Sequence, residues 1–508
     1  MNKKWFRSLF RQRMLVSFLL IVQFIFMVYL LHSGSMASDI IAGVLKFISF
    51  AVSLYIFSLK NKGAYKLTWV FIILLFPLFG GLFYLMFTFQ SSFRASAKRV
   101  EKVSKRTSHF FALPGYDLGS AETILPQVST SLNYMQNFAG FPVYSADKTE
   151  YLSPGEKMFD RLISELEKAE KYIFLEYFII QEGEMWNTIL EILKRKVSQG
   201  VKVRVIYDDM GCFFLLPKNY AKHLQSLGIE CVVFNPFRPL LSVIQNNRDH
   251  RKIAVIDGKV AFTGGINLAD EYINGYEKHG HWKDSAVMLT GKAAWGLTVI
   301  FLQMWELCKG LVEDYHAYYP DDTKAAGAGY VIPYSDSPLD YENVGEHVYL
   351  QMITGAKKYV YINTPYLIID SSMVSALCLA AKSGVDVRIV TPHKWDKRLV
   401  HMTTRSYYRE LIDAGVKIYE YKNGFIHSKT FVSDDYAATV GTANLDFRSL
   451  YLQFECGVLM YNTPAVMQIK EDFLSTLEIC QPITKEDCRC NMITRFFQDI
   501  LRLIAPLM

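Results

Sequence analysis

Cysteine is scarce in this sequence, and its placement excludes two classes of protein. The eight cysteines among 508 residues are scattered, mostly in apolar segments, which does not fit a disulfide scaffold. Cys488 and Cys490 lie close to Cys480 in the chain, but their spacing is too irregular for a zinc site. We therefore predict reduced thiols in a hydrophobic core.

Charged residues are also few, at 20% of the chain, and they leave long apolar runs near the N-terminus. Residues 14–31 and 67–89 contain no charge, and residues 40–59 contain one lysine. A cleavable signal peptide is the alternative for the first run, but its apolar core would be unusually long and further runs follow. With 51% hydrophobic residues overall, the sequence predicts a membrane anchor of two to three apolar spans over residues 1–90.

Basic residues flank these runs and bear on orientation. Five precede the first run and six follow the third: Lys3, Lys4, Arg7, Arg11 and Arg13, and Arg94, Lys98, Arg99, Lys102, Lys105 and Arg106. Such clusters favour an anionic lipid surface, although they would also attract nucleic acid. Three full crossings would put the two clusters on opposite sides, whereas a third run that turns back at Pro77 and Gly80 would keep both inside. The second arrangement favours a cytoplasmic catalytic region in a multi-pass protein of the cell membrane.

One motif, H-x-K-x4-D-x6-G-x2-N, occurs twice with identical spacing. Its copies comprise His250, Lys252, Asp257, Gly264 and Asn267, and then His427, Lys429, Asp434, Gly441 and Asn444. A single copy would be weak evidence for a site, because each residue type is common in turns and strands. Two gapless copies in one chain are a strong signal of a duplicated functional element.

The spacing inside the motif indicates how its side chains are arranged. The His and Lys are two residues apart in apolar segments, so we expect a buried strand with both side chains on one face. An imidazole, an ammonium group and the amide of Asn can hold a phosphodiester and stabilise charge on its oxygens. Burying two lysines beside two histidines without a function would be costly, which favours catalytic roles. Asp257 and Asp434 are candidate catalytic residues as well, with plain turn formers as the equal alternative.

The pattern of elements around the motif is also duplicated. The segment Gly-Val-Lys-Val-Arg at residues 200–204 is echoed by Gly-Val-Asp-Val-Arg at residues 384–388, each between a predicted helix and a strand. We therefore predict an α/β fold with two homologous lobes, at residues 151–330 and 331–485, each a mixed sheet flanked by helices.

Two segments flank the predicted lobes. Residues 91–150 mix charged residues with Gly and Pro, and we predict a linker that packs on the catalytic body. Residues 486–508 form an amphipathic C-terminal segment, which either lies on a membrane or packs on the body.

The two motif copies resemble the double H-K-D motif of the phospholipase D superfamily, and the chain as a whole is similar to the bacterial cardiolipin synthases of that superfamily. The resemblance implies two lobes packed about a pseudo-twofold axis, so that both His–Lys pairs line one cleft. It also implies that a phosphatidyl group passes between two phosphatidylglycerol molecules through a phosphatidyl-histidine, giving cardiolipin and glycerol. Hydrolysis, transfer to serine and nuclease activity are alternatives for the same site. Apolar runs fused to the lobes favour a lipid substrate in the membrane over nucleic acid.

Such a reaction places opposite demands on the two imidazoles. One must be neutral to attack phosphorus, and the other must be protonated to release the leaving alkoxide. Because the motif contains no carboxylate cluster for magnesium, we predict chemistry without a metal or other cofactor. The sequence leaves open which His is the nucleophile and whether the protein is a homo-oligomer.

The resemblance further implies a carboxylate that orients each imidazole through its second nitrogen. Glu455 occupies that place in the second half. Asp284 is its counterpart in the first half, displaced by a six-residue insertion, with Glu277 as the alternative. Arg448 and the two motif asparagines, Asn267 and Asn444, are the remaining candidates for contact with phosphate.

Overall fold

The computed structural model describes residues 25–26, 28–29, 35–60, 62–88, 91–113, 121–237, 243–320, 327–340 and 342–507. The described residues form two compact units. The first lies within Met1–Ala95, Phe237–Asn246 and Leu503–Met508, and the second within Ser96–Pro236 and Asn247–Arg502. Both motif copies belong to the second unit.

Within the described residues, the first unit contains the apolar helices α1 (Met36–Ser58), α2 (Gly63–Leu75) and α3 (Gly80–Thr88). Among the residues described, α1 is the one helix long and apolar enough to cross a membrane. The run at residues 67–89 is divided between α2 and α3, because Pro77 has no N–H to continue a helix and disfavours helical backbone before it. Each piece is shorter than the roughly 20 residues that a crossing needs. The predicted first span, residues 14–31, lies almost wholly outside the described residues.

Close backbone contact joins these helices. A Cβ at Gly80 would lie 2.6 Å from the Cα of Ile73, and one at Gly81 would lie 2.7 Å from the Cα of Ser49. The hydroxyl of Thr68 also donates to the carbonyl of Leu503, at 2.6 Å, so the C-terminal end of the chain is part of this unit. The outer surface of α1 is apolar, with exposed Ile40, Ile41, Val44, Phe47, Phe50, Leu54 and Phe57.

The first lobe of the second unit contains a seven-stranded mixed sheet. Its strands and three further short ones (β1, β6 and β9) are β1 (Tyr144–Ser145), β2 (Lys148–Leu152), β3 (Tyr172–Tyr177), β4 (Lys202–Asp208), β5 (Glu230–Phe234), β6 (Arg248–Asp249), β7 (Lys252–Ile256), β8 (Val260–Gly264), β9 (His281–Lys283) and β10 (Ala286–Thr290). The sheet order is β2-β10-β8-β7-β3-β4-β5. β3, β4 and β5 are parallel and the other neighbours are antiparallel.

The second lobe repeats this order with its own strands. These are β11 (Tyr330–Asp336), β12 (Tyr359–Asn363), β13 (Leu367–Ile368), β14 (Asp386–Pro392), β15 (Lys417–Tyr421), β16 (Gly424–Ile426), β17 (Thr430–Ser433), β18 (Ala437–Gly441), β19 (Leu445–Asp446), β20 (Gln453–Tyr461) and β21 (Cys480–Ile483). The order β11-β20-β18-β17-β12-β14-β15 matches the first sheet strand for strand, including which neighbours are parallel. β1 and β21 extend the two edges.

Helices flank both sheets. They are α4 (Ser91–Thr107), α5 (Ala121–Ile124), α6 (Ser129–Asn133), α7 (Gly155–Leu166), α8 (Glu184–Ser198), α9 (Asp209–Cys212), α10 (Tyr220–Ser226), α11 (Lys292–Lys309), α12 (Val344–Gly355), α13 (Ser371–Lys382), α14 (Arg398–Asp413), α15 (Phe447–Leu452), α16 (Pro464–Leu477) and α17 (Met492–Ile504). The predicted α/β fold with mixed sheets and flanking helices is confirmed. Within residues 91–150, the carbonyls of Phe110 and Phe111 accept hydrogen bonds from Trp295 and Tyr144, so part of this segment packs on the second unit.

Helix α11 brings the two lobes together. Most of its side chains are buried, and it contacts β5, β7 and β8 of the first sheet as well as β11 of the second. Gly296 makes the approach to β11 close, because a Cβ there would lie 2.9 Å from the ring of Pro333. Burial of each large apolar side chain stabilises the fold by about 1.5–3 kcal/mol, so α11 and the strands that it contacts form a hydrophobic core between the lobes.

Candidate active site

Each motif histidine lies between two strands. The short strand before it pairs with a strand of the other lobe, and the strand after it belongs to the sheet of its own lobe. β6 pairs in parallel with β20 of the second lobe, and β7 follows two residues later in the first sheet. In the second copy, β16 pairs with β9 of the first lobe before β17 begins. His250 and His427 therefore lie just before their sheet strands, and not within them as the apolar pattern predicts.

The backbone fixes this crossing at both histidines. The N–H of His250 donates to the carbonyl of Phe454 at 2.9 Å, and the N–H of His427 donates to the carbonyl of Lys283 at 2.7 Å. The accepting residue in each case immediately precedes a carboxylate of the opposite lobe, Glu455 or Asp284. The pairing of strands between the lobes therefore puts a carboxylate of one lobe beside the imidazole of the other.

The side chains complete two crossed His–carboxylate pairs. Nδ1 of His250 lies 2.9 and 3.0 Å from the two carboxylate oxygens of Glu455, and Nδ1 of His427 lies 2.6 Å from Oδ2 of Asp284. Both carboxylates are fully buried and each imidazole is 8% exposed. A carboxylate that accepts from Nδ1–H fixes the tautomer in which Nε2 carries a lone pair. Glu277, the alternative to Asp284, is exposed.

The two motif lysines are buried beside the imidazoles. The ammonium group of each donates to the backbone carbonyl of its own histidine, Lys252 to His250 and Lys429 to His427. Nζ of Lys429 is also 2.9 Å from Nδ1 of His427. Both lysines are under 3% exposed, which is rare for this residue type unless charge or function requires it.

Burial governs the protonation of this cluster. It lowers the pKa of His250 to about 4 and the pKa of His427 well below its usual value, so both imidazoles are neutral in the free protein. Burial also lowers the pKa of Lys252 to about 8 and that of Lys429 to about 7. The positive charges of Lys252 and Lys429 lower the pKa of both histidines. Each histidine therefore interacts with the lysine of the other motif as well as its own, and the two motifs share one electrostatic environment.

The two carboxylates are not equivalent. Burial raises the pKa of Asp284 to about 7, although the nearby Lys429 opposes the rise. Glu455 keeps a lowered pKa despite its burial, because His250, Lys252 and the hydroxyl of Thr442 favour its charged form. The two halves thus hold their histidines with carboxylates of different basicity.

Aromatic rings surround both imidazoles. The ring of Phe178 is 5.0 Å from that of His250, and the rings of Trp282 and Tyr272 are 5.2 and 5.7 Å from that of His427. These rings exclude water and strengthen the electrostatic interactions in the cleft. Their spacing from the motif carries no signal, so these rings could not be predicted as part of the site.

The structure corrects the catalytic assignment of Asp257 and Asp434. Each follows its strand with a left-handed backbone, at φ 54° and 53°. The carboxylate of Asp257 accepts the N–H groups of residues 170–172, and that of Asp434 accepts those of residues 357–359. Five residues of extended chain separate each from the motif lysine, roughly 15 Å. These aspartates tie a turn to the start of the neighbouring strand.

The remaining candidates for contact with phosphate are Asn267, Asn444 and Arg448. The side-chain amide of Asn267 accepts a hydrogen bond from the N–H of Ile179 and donates one to the hydroxyl of Tyr272. The side-chain amide of Asn444 donates to the hydroxyl of Ser449. Both asparagines are buried, so in this state they hold the loops that follow their motifs. Arg448 lies in the first turn of α15 and is partly buried.

Among the positions that differ between the two motif copies, one lies against the carboxylates, with Gly265 in the first copy and Thr442 in the second. The hydroxyl of Thr442 donates to Glu455 and accepts from Cys456 N–H. A Cβ at Gly265 would instead lie 2.1 Å from Oδ1 of Asp284. The sequence shows that Gly264-Gly265 corresponds to Gly441-Thr442. The structural reason for the difference is that Asp284 lies against Gly265, whereas Glu455 lies against Thr442.

We predict that Gly265→Ala lowers activity about 10²-fold, because the new methyl group displaces the buried carboxylate that holds His427. Gly355→Ala is the matched control, since a Cβ there meets nothing within 4 Å. Turnover and thermal unfolding of both variants would be measured side by side. Unchanged turnover of Gly265→Ala would show that the position of Asp284 does not matter.

A buried ionic cluster on the opposite side of the first motif strand was also missed. Nε of Arg251 lies 2.7 Å from Glu176 and 3.1 Å from Asp249, all three residues being buried. Burial raises the pKa of Glu176 well above its usual value. Since alternate residues of an extended chain point to opposite sides, this cluster lies behind the side chains of His250 and Lys252 and supports the segment that carries His250.

The chain is similar in sequence to known proteins over most of its length. A family model described as "Cardiolipin synthase, PLD-like domain" matches residues 162–305 and 349–477, and one described as "Phospholipase_D-nuclease N-terminal" matches residues 47–87. A cardiolipin synthase of Geobacillus sp. WCH70 is 35% identical over 98% of this chain and 99% of its own length. An uncharacterised protein of Streptococcus mutans is 45% identical over 87% of this chain and 96% of its own.

A solved structure shows the same fold at low sequence identity. The crystal structure of phosphatidylserine synthase from Haemophilus influenzae Rd KW20 superposes with a TM-score of 0.57, at 15% identity, over 74% of this chain and 98% of that one. The family-model matches cover more than half of the chain and include both lobes. The chain therefore belongs to the cardiolipin synthase family of proteins with phospholipase D-like domains.

Proposed function

We propose that this protein is a phosphatidyltransferase that makes cardiolipin from two phosphatidylglycerol molecules at the shared cleft of its two lobes. The observation that carries the proposal is the pair of crossed His–carboxylate contacts, His250 with Glu455 and His427 with Asp284. One lobe alone would supply an imidazole without its orienting carboxylate. A pseudo-twofold relation between the lobes accounts for the arrangement.

In the first step, Nε2 of one histidine attacks the phosphorus of phosphatidylglycerol. The bond from phosphorus to the headgroup oxygen breaks, and the second histidine gives a proton to the departing glycerol. A phosphatidyl-histidine results. In the second step, the second histidine takes the proton from the terminal hydroxyl of another phosphatidylglycerol, whose oxygen attacks phosphorus and breaks the P–N bond. Cardiolipin leaves, and both imidazoles return to their starting states.

The charges of the cleft suit this cycle. With neutral imidazoles, Lys252 and Lys429 balance Glu455 and Asp284. An entering phosphodiester adds one negative charge, which favours a proton on one imidazole and so generates the acid that the first step needs. The two ammonium groups then stabilise the charge that develops on the phosphoryl oxygens.

The membrane supplies both substrates, and the first unit fits a membrane location. Large apolar side chains cover the outside of α1, whereas Ser38 and Ser49 are buried, and Ser49 accepts a hydrogen bond from the N–H of Gly81 in α3. The short helices α2 and α3, joined at Pro77, suit a segment that enters the bilayer and returns. We therefore infer a multi-pass protein of the cell membrane with its catalytic lobes on the cytoplasmic face, either as a monomer or as a homo-oligomer.

The product mixture tests the proposed function directly. Purified protein would be incubated with phosphatidylglycerol in detergent and a chelator, and the products identified by mass spectrometry. We expect cardiolipin and glycerol in equal amounts. Phosphatidic acid as the main product would indicate a hydrolase, phosphatidylserine formed on addition of serine and a suitable donor would indicate transfer to serine, and loss of all activity in chelator would contradict the metal-independent scheme.

The pH dependence of kcat/KM should be bell-shaped. On the acid side, the rate falls first near pH 7, where Asp284, with its pKa raised to about 7, takes up a proton and no longer holds His427 as a carboxylate. It falls again near pH 4, where His250, with its pKa lowered to about 4, becomes protonated in the free enzyme. On the alkaline side, it falls between about pH 7 and 8, where Lys429 and Lys252 lose the charges that attract the phosphodiester. Enzyme held at each pH and then assayed at neutral pH controls for unfolding. A rate that stays constant up to about pH 10 would contradict the role given to the lysines.

A further inference from the structure

Helix α17, near the C-terminus, presents apolar side chains to the outside. Met492, Ile493, Phe496 and Phe497 are 82%, 69%, 62% and 54% exposed. Their spacing puts them on one side of the helix. We call these four residues the α17 apolar face.

The side of α17 opposite its apolar face packs on the rest of the second unit. The guanidinium group of Arg502 lies 4.2 Å from the centre of the Tyr407 ring and bonds Glu410 at 2.9 Å. Gln498 contacts the thiol of Cys490. A helix on the surface of a soluble domain normally buries its apolar stripe, and α17 leaves most of that stripe uncovered among the residues described.

The chain just beyond α17 points to what covers this face. After Arg502 the residues belong to the unit that contains α1, the helix long enough to cross a membrane. The carbonyl of Leu503 accepts the hydroxyl of Thr68 in α2, and Ala505 is buried. Leu503 and Ile504, the last two residues of α17, therefore belong to the unit that contains the apolar helices, and the preceding turns of α17 expose two phenylalanines.

We propose that α17 is an interfacial helix whose apolar face lies among the acyl chains at the surface of a phospholipid bilayer. Aromatic and aliphatic side chains on one side of a helix, with arginine on the other, are typical of helices that lie in the membrane plane. Arg495 is exposed outside the apolar face, within reach of anionic headgroups. The helix thus holds the second lobe against the membrane from which phosphatidylglycerol enters the cleft.

Photo-crosslinking in the full-length protein tests this inference. The photoreactive residue p-benzoylphenylalanine would replace Phe496, or Gln498 as the matched control on the polar side, in protein reconstituted into vesicles of phosphatidylethanolamine and phosphatidylglycerol. After irradiation, we expect lipid adducts at position 496 to exceed those at position 498 about tenfold. Equal or absent lipid adducts at position 496 would overturn the proposal, and so would a crosslink to a second copy of the chain.

Lipid contact by α17 does not depend on the transfer reaction. The same crosslinking in the His427→Asn background should give the same adducts without any cardiolipin. Failure of the enzymatic assay together with normal adducts would contradict the proposed function alone. Loss of adducts with normal turnover of the wild-type chain would contradict the interfacial helix alone.

Discussion

Replacing His250 or His427 with Asn is expected to lower cardiolipin formation by on the order of 10⁴-fold or more. Each variant keeps the size of the side chain near that of imidazole and removes the Nε2 lone pair. If one imidazole attacks phosphorus and the other moves the proton, neither can replace the other, because each is held by a different carboxylate. Loss of either should therefore stop the full cycle.

Trapping the intermediate separates the two roles. After brief incubation with lipid labelled in the acyl chain and quenching in alkaline denaturant, in which a P–N bond to histidine survives, only the variant that lacks the nucleophile should lose the covalent adduct. His223→Asn, an exposed histidine on α10, is the control and should turn over normally. Near-normal rates for both His250→Asn and His427→Asn would contradict the two-histidine scheme.

The second large effect concerns the crossed carboxylates. Glu455→Gln should behave like the His250 variant in the adduct assay, and Asp284→Asn should behave like the His427 variant. Each amide keeps the shape of the carboxylate but favours the wrong tautomer of its imidazole, which costs about 10⁴-fold in a comparable His–carboxylate pair. The effect of each mutation is thus expected on the histidine of the other lobe.

The pairing can be measured with the same adduct trap. Glu342→Gln is a matched control, because Glu342 also contacts an imidazole, that of His347 at 2.9 Å, but outside the cleft. This control should leave turnover and adduct unchanged. The opposite pattern, in which Asp284→Asn follows His250 and Glu455→Gln follows His427, would show that the carboxylates act within their own lobes.

The central residues of the site could be predicted because their spacing is fixed by a short stretch of chain. His250 and Lys252 must lie on the same side of an extended segment, and the second copy of the motif repeats the constraint. The repeated order of helix and strand likewise follows from apolar patterning within each lobe. The periodicity of residues along short stretches of chain was sufficient to predict these features.

The remaining features depend on contacts that are distant in sequence. The pairing of Glu455 with His250 requires β6 to lie beside β20, about 200 residues later, and no local pattern encodes this. The role of Asp257 could not be separated from catalysis, because an aspartate after a strand suits both a turn and a site. The division of the run at residues 67–89, in contrast, followed from the local signal of Pro77 and Gly80, between which α2 and α3 are separated.

The crossing of the lobes has a consequence during synthesis on the ribosome. His250 emerges long before Glu455, its partner 205 residues further along the chain, and the pair can form only once β20 has been made and folded. A nascent or truncated chain therefore holds no working catalytic histidine pair. A newly inserted, half-finished polypeptide accordingly cannot cleave the phospholipids around it, and activity begins only with the nearly complete protein.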